Sequence, residues 1–157
     1  MKVIFHLTLI VLLLILVQPI YSQKKDFSIS VDVQAKDKTT QNLVESYITR
    51  ELRTLGDVDI KENEPFYRMT IIVLKNKSTD GLNIGYTLSI TTSYRNKCLH
   101  SVKKDGKPDT YACYVSSGHS VHIGGLGDLR SMCEEVVNEF DIETLKPTRD
   151  VFKKLGI

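Results

Sequence analysis

The sequence predicts an α+β fold. In this two-layer sandwich, a mostly antiparallel sheet of four to five strands carries two main helices packed on one face. Three observations predict it. Several separate runs alternate apolar and polar residues, which is the period of half-buried strands. Two longer segments place apolar residues every three to four positions, which is the period of amphipathic helices. The order is strand, helix, several strands, helix, so the helices are segregated from the main run of strands.

The 157-residue chain opens MKVIFHLTLIVLLLILVQPIYSQ. A lone basic residue, Lys2, precedes an apolar run from Val3 to Val17 that Pro19 closes, and the small residue Ser22 comes shortly after. This is the pattern of a secretory signal peptide over residues 1–22, with cleavage after Ser22 or Gln23. The apolar run is shorter than the roughly 20 residues a membrane-spanning helix needs. Residues 23–157 then form a single exported α+β domain, of a size that needs no metal to stabilise its core. No later segment is apolar enough to span a bilayer once the signal is removed.

FSISVDV, residues 27–33, alternates strictly and reads as the first strand. AKDKTT comes next, with Thr39 or Thr40 placed to cap a helix. Val44, Tyr47, Ile48, Leu52 and Leu55 recur at helical spacing, and Gly56 is a suitable stop. DVDIKE is a short strand candidate. FYRMTIIVLK, residues 66–75, is apolar on both parities near its end, which predicts a central strand covered on both faces. In NIGYTLSITTSY, Ile84, Tyr86, Leu88, Ile90 and Tyr94 share one parity, and in TYACYVSSGHSVHI Tyr111, Cys113, Val115, Val121 and Ile123 share another. The second long helix carries Leu129, Met132, Cys133, Val136 and Phe140 on one stripe. Pro147 interrupts the segment beyond that helix, and Val151, Phe152 and Leu155 indicate a short closing helix.

Asp105-Gly106 is a strong two-residue hairpin signal, because both central positions of a type I′ turn need positive φ. A turn there sets Cys98 opposite Cys113, Ile90 opposite Val121 and Leu88 opposite Ile123. An exported chain can keep a disulfide, so a Cys98–Cys113 bond is expected to brace this hairpin. The third cysteine, Cys133, is left free or pairs between chains. Its place in the middle of a helical stripe reads as core.

With 21 Lys and Arg against 19 Asp and Glu, the balance is close to neutral and the signs are dispersed. That is poor equipment for nucleic acid, which calls for a basic patch or stripe. The GGLGD run resembles a phosphate-binding turn, but it departs from the dinucleotide fingerprint at Arg130 and from the nucleoside-triphosphate loop at Asp128. A carboxylate at the helix start accepts free amides and repels phosphate, so the glycines read as a corner capped by Asp128. His119 and His122 lie three apart on a strand, on opposite faces, with His119 on the inward parity and His122 expected at the surface, and no locally spaced carboxylate completes a metal site. Asn76-Lys77-Ser78 matches the N-glycosylation sequon. No cofactor and no metal are expected.

These readings leave two functional classes. The first is an exported, non-enzymatic domain, in a bacterial periplasm or secreted, that binds a protein or a cell-envelope component; a ligand-binding spot would involve His119, Gly124, Gly125 and Gly127. The second is a small hydrolase or ligand-binding protein, which would need Ser117, His119, His122 and Asp128 to converge in one pocket. The order of strand, helix ending in Leu55-Gly56, then paired strands broadly resembles small envelope domains: the amino-terminal domain of the Tol-system translocation protein and the lipoproteins that activate penicillin-binding proteins. The likeness is one of element order and assigns no residue a role.

Overall fold

The computed structural model describes residues 27–102 and 108–156. Five strands are present: β1 (Phe27–Ala35), β2 (Val58–Ile60), β3 (Tyr67–Lys77), β4 (Asn83–Val102) and β5 (Pro108–Gly125). Helix α1 (Lys38–Thr54) joins β1 to β2. A 3-10 turn (Leu126–Asp128) leads into α2 (Leu129–Phe140), which passes through a π-helical turn (Asp141–Leu145) into α3 (Lys146–Leu155). The sheet order is β2-β1-β3-β4-β5. The short pairings of β1 with β2 and β3 are parallel, and the long pairings β3–β4 and β4–β5 are antiparallel. The helices pack against one face, giving the α+β sandwich that the periodicities predict.

The core lies between that face and the helices. Ile29 and Val33 from β1, Met69, Ile71 and Val73 from β3, and Leu88 and Ile90 from β4 meet Val44, Ile48 and Leu52 of α1 and Met132, Cys133, Val136 and Phe140 of α2. These helical residues recur at intervals of three and four, the spacing that keeps side chains on one face.

Helix α1 is capped by Asp37, two or three residues before the threonines that the sequence suggested. The Asp37 side chain accepts from the Thr40 amide at 2.9 Å, and Lys75 pairs with the same carboxylate at 2.9 Å. Helix α1 stops at Gly56, whose φ of 77° favours a residue without Cβ. The hydrogen bond from Lys75, then that from Thr40, holds the Asp37 carboxyl down at about 2, against an ordinary 3.8. A depressed folded value means this contribution to stability is complete above about pH 4 and is lost as pH falls towards 2. Acid titration of Asp37→Asn is expected to show a shallower loss of stability across that window than the parent protein. An unchanged slope would remove Asp37 from the acid response.

The carboxy-terminal segment differs from the sequence reading. Pro147 does not interrupt a helix but sits in the first turn of α3, where its ring-fixed φ of about −65° is already helical. The π-helical turn carries α2 onwards into α3. Arg149 then ties α3 to the far side of the domain. Its guanidinium donates to both Asp57 oxygens at 2.6 and 2.8 Å and also to Asp141, and it lies over the Phe27 ring. Phe152 stacks on the same ring, with centroids 6.1 Å apart. Removing the guanidinium by Arg149→Ala takes the bidentate partner from Asp57 and the ion-pair partner from Asp141, two largely covered carboxylates. Breaking a buried pair costs more than this, but these groups are roughly a quarter exposed, so the expected loss is about 2 kcal/mol. Urea titration measures it.

Two expectations about the sheet are corrected. First, β3 is central but covered on one face only: Ile72 and Leu74 point away from the helices and are exposed. Second, β4 and β5 pair one residue out of the expected register. Ile90 lies opposite Ser120 and Leu88 opposite His122, while Val121 and Ile123 lie opposite Ser89 and Thr87. At the far end Val102 pairs with Pro108; the Asp105-Gly106 turn lies outside the described residues. Two irregularities sit between these points, one leaving Ser117 and one leaving His100 without a partner in the ladder. Because side chains alternate along a strand, a slip of one exchanges the faces. The residues expected inside, Val121 and Ile123, are therefore outside.

Candidate functional site

The register builds two distinct surfaces. On the open face of the sheet, Ile72, Ser89 and Val121 form one cross-strand row, and Leu74, Thr87 and Ile123 form the next. The four apolar members are 44%, 56%, 51% and 74% exposed, taking Ile72, Leu74, Val121 and Ile123 in turn. Leu82, just before β4, and Ile84, in its first residues, are exposed at the same end of the sheet. Beside this band runs β5, the edge strand. From residue 110 to 123 β5 contains no Lys, Arg, Asp or Glu, and its only proline is the first residue, Pro108. Natural edge strands are usually guarded by charge, proline or short length; β5 has 18 residues and little of that protection.

His119 belongs to this open face. It pairs with Thr91 in the ladder, and its Nε2 lies 3.2 Å from the Ser89 hydroxyl. The sequence placed it inside and His122 at the surface; the shifted register reverses them. His122 faces the helix layer, with a side chain only 10% exposed. Its Nε2 is 3.1 Å from Glu139 Oε2, its Nδ1 is 3.7 Å from Glu135, and Ser120 Oγ is 3.3 Å from Nε2. Ser120 and Glu139 thus address the same ring nitrogen, whereas a nucleophile–histidine–carboxylate relay needs them on opposite nitrogens. Glu135, on the opposite nitrogen, stands at 3.7 Å, beyond hydrogen-bond reach, so the cluster reads as a hydrogen-bonded junction between β5 and α2.

The four groups that a hydrolase reading required are dispersed. Ser117 donates to the Thr92 hydroxyl on the helix side, and His119 lies on the opposite face from His122. The Asp128 carboxylate reaches back to the Gly125 amide at 2.8 Å. That contact replaces the expected cap on the adjoining helix: Asp128 closes the glycine corner from behind. Gly124 is needed for packing, since a Cβ there would come within 2.6 Å of Met132 Sδ. Gly125 supplies the amide that Asp128 accepts, and nothing approaches Gly127. Among the described residues, no group of three or more His, Cys, Asp or Glu side chains is arranged to hold a metal ion.

Cys133 is fully buried beneath α2, and burial, followed by Glu134 and Glu51, pushes its thiol up to about 12. The thiolate is the reactive form, so this cysteine is packing material. A thiol-specific chromogenic reagent at pH 8 is expected to leave it untouched in the folded protein and to titrate it after denaturation. Rapid labelling of the native state would contradict its burial.

Sequence reasoning missed the cavity between the middle of β4 and β5 and the end of α2. It has a volume of about 190 Å³ and is bounded by Thr92, Ser117, Ser120, Glu139, Glu143 and Thr144 over a floor that includes Phe140. Helix spacing did carry a signal: Glu139 and Glu143 are four residues apart and share a side. Ser120 joins them only in the register seen here.

No family model matches the chain, and no curated protein matches it. Among solved structures, it is similar to the PelC dodecamer from Paraburkholderia phytofirmans, with 15% identity, a TM-score of 0.38, and 71% of this chain and 83% of that chain covered. It is also similar to a neuraminyllactose-binding hemagglutinin homolog from Helicobacter pylori, with 11% identity, a TM-score of 0.38, and 84% and 89% covered. A minor lipoprotein from Acinetobacter baumannii matches with 9% identity, a TM-score of 0.35, and 74% and 93% covered. Likeness at this level carries no functional argument, and the site is read from its own residues.

Proposed function

We propose that this chain is an exported, non-enzymatic binding domain that docks an extended segment of an envelope or secreted protein. The docking surface is the open face of the sheet beside β5. The observation that carries the reading is the exposed apolar band Ile72, Leu74, Val121 and Ile123 along an edge strand that carries no Lys, Arg, Asp or Glu from residue 110 to 123. Exposed apolar surface rimmed by polar groups marks interaction sites. A free edge offers a ladder of backbone donors and acceptors to an added strand, with side-chain contacts supplying specificity. His119 stands in the row next to Val121 and contributes a hydrogen-bonding group at the margin of the band. Export is supported by the leader-like amino-terminal sequence and by the Cys98–Cys113 disulfide, since disulfides persist in oxidising compartments.

The test is site-specific photocrosslinking in the producing cell. A photoreactive residue at position 121 or 123 is expected to capture one discrete partner. The same residue at the exposed position 45 of α1 is expected to capture none. Adducts that are absent at 121 and 123, or identical at 45, would sink this reading. In a complementary measurement, Val121→Lys is expected to abolish the adduct formed from position 123 while leaving the folded spectrum intact.

A further inference from the structure

We propose that the segment docked on the open face is acidic, and that a lysine-lined groove beside β3 receives its carboxylates. The inference rests on the docking reading above and adds the charge of the partner to it.

The groove follows from a step in the sheet. β1 pairs with β3 only as far as Ala35 opposite Val73, after which its chain turns into α1, while β3 runs on to Lys77. From Leu74 to Lys77, β3 therefore has a ladder partner on the β4 side alone. The space left beside it has a volume of about 730 Å³, within the roughly 300 to 1,000 Å³ typical of binding clefts. Ile72 and Leu74 line it and are 44% and 56% exposed, so its apolar surface is open and not already packed. The same two residues begin the cross-strand rows that end at Val121 and Ile123, which makes the groove continuous with the docking band. From β5 to β3 is two strand spacings, about 10 Å, a distance that about three residues of extended chain cover.

Lys36, Lys75 and Lys77 set the charge, and all three are exposed along the lining. Among the described residues, only Lys75 of the three has an ion-pair partner: Asp37, at 2.9 Å, which is also the one carboxylate of the lining. Asp32, further back on β1, accepts from the Gln34 amide and does not border the groove. Lys36 and Lys77 are therefore left to receive anions. A segment that alternates apolar and acidic side chains would set the first on Ile72 and Leu74 and the second against the lysines. Ammonium–carboxylate hydrogen bonds are charge-assisted, and matching signs across an interface steer encounter and reject cationic competitors. An anionic bilayer fits less well. Its surface is flat where the groove is recessed, and the basic clusters that hold such membranes carry about four to eight Lys or Arg.

The purified protein is titrated against fluorescein-labelled peptides in which valine alternates with glutamate, glutamine or lysine, and binding is read by fluorescence anisotropy. The glutamate peptide is expected to bind at least tenfold more tightly than the glutamine peptide, and the lysine peptide not at all. Lys36→Gln together with Lys77→Gln is expected to weaken the glutamate peptide at least fivefold. Lys153→Gln together with Lys154→Gln removes the same charge from exposed positions on α3 and is expected to leave affinity within about twofold. The inference is overturned if the glutamate peptide does not bind, if the glutamine peptide binds as well, or if the two double variants weaken binding alike. Sedimentation with vesicles of phosphatidylglycerol and phosphatidylcholine, without peptide binding, would overturn it in favour of a membrane. In the producing cell, the adduct formed from position 123 is expected to fall at least fivefold in the Lys36→Gln, Lys77→Gln variant. An undiminished adduct overturns the acidic partner and leaves the docking band standing. No adduct even from the parent chain sinks the docking reading instead, and the peptide titration then decides the groove by itself.

Discussion

Replacing Ile71 by alanine is expected to destabilise the domain by roughly 3 to 4 kcal/mol, whereas the same change at its neighbour Ile72 should stay within about 0.5 kcal/mol. The two isoleucines are adjacent on β3 and chemically identical, so their difference isolates which face they occupy. Ile71 is fully buried, lies between Val33 and Ile90 in the sheet, and belongs to the core beneath the helices. Truncation there removes three buried carbons and leaves a void that neighbouring strands, held by ladder hydrogen bonds, cannot collapse to fill. Ile72 is 44% exposed and faces solvent. Against a net stability typically between about 5 and 15 kcal/mol, the first change removes a large share. Urea unfolding of both variants checks it. Comparable losses would mean that the open face is covered after all, and the docking proposal would go with it. If the face is open, Ile72→Ala should keep its stability and lose partner crosslinking, separating folding from binding at adjacent positions.

Strand and helix identities were legible in the sequence because burial imposes a period on the chain. Phe27, Ile29 and Val33 alternate, and Val44, Ile48 and Leu52 recur at helical spacing, with all six in the core. The glycine corner was legible as a corner because Asp128 opposes a phosphate reading. The face assignment of β5 was not legible. Val121 and Ile123 match Ile90 and Leu88 in chemistry, so apolar pairing favours the wrong register. The structure instead places Ser120 and His122 towards α2, where Glu139 bonds the imidazole and Gly124 makes room for Met132. Those restraints come from a helix that lies after β5 in the chain, and no local pattern contains them. The same ambiguity affected β3: apolar residues on both parities imply burial on both faces, unless one set is left exposed. The exposed apolar band was therefore visible in composition but assigned to the core. The cavity was invisible because its hydroxyls and carboxylates come from four elements, β4, β5, α2 and the π-helical turn, whose alignment depends on that register.

Substituting serine for both Cys98 and Cys113 is expected to lower stability by about 3 kcal/mol, the chain-entropy contribution of a cross-link closing a loop of this length. The bond joins residues 15 apart, with Cα atoms separated by 5.8 Å. Its geometry differs from the one the sequence implied. Cys98 pairs with Tyr111 in the ladder and Cys113 with Asn96, so the disulfide crosses the hairpin diagonally. Among the contacts that anchor the arm it braces, the Tyr114 hydroxyl donates to the Pro65 carbonyl at 2.7 Å, and Arg68 lies 3.7 Å above the same ring. Without the cross-link, little apolar burial opposes fraying of the outer ends of β4 and β5, because Tyr111 and Val115 are themselves exposed. Two readouts distinguish a working brace from an idle one. Denaturant midpoints of the double-serine variant should fall relative to the oxidised parent. Limited proteolysis should cut first within the outer arm of the hairpin, while α1 and α2 stay intact. Equal midpoints and an unchanged cleavage pattern would show that the ladder alone holds this arm, and the disulfide would then lend no support to an oxidising destination for the protein.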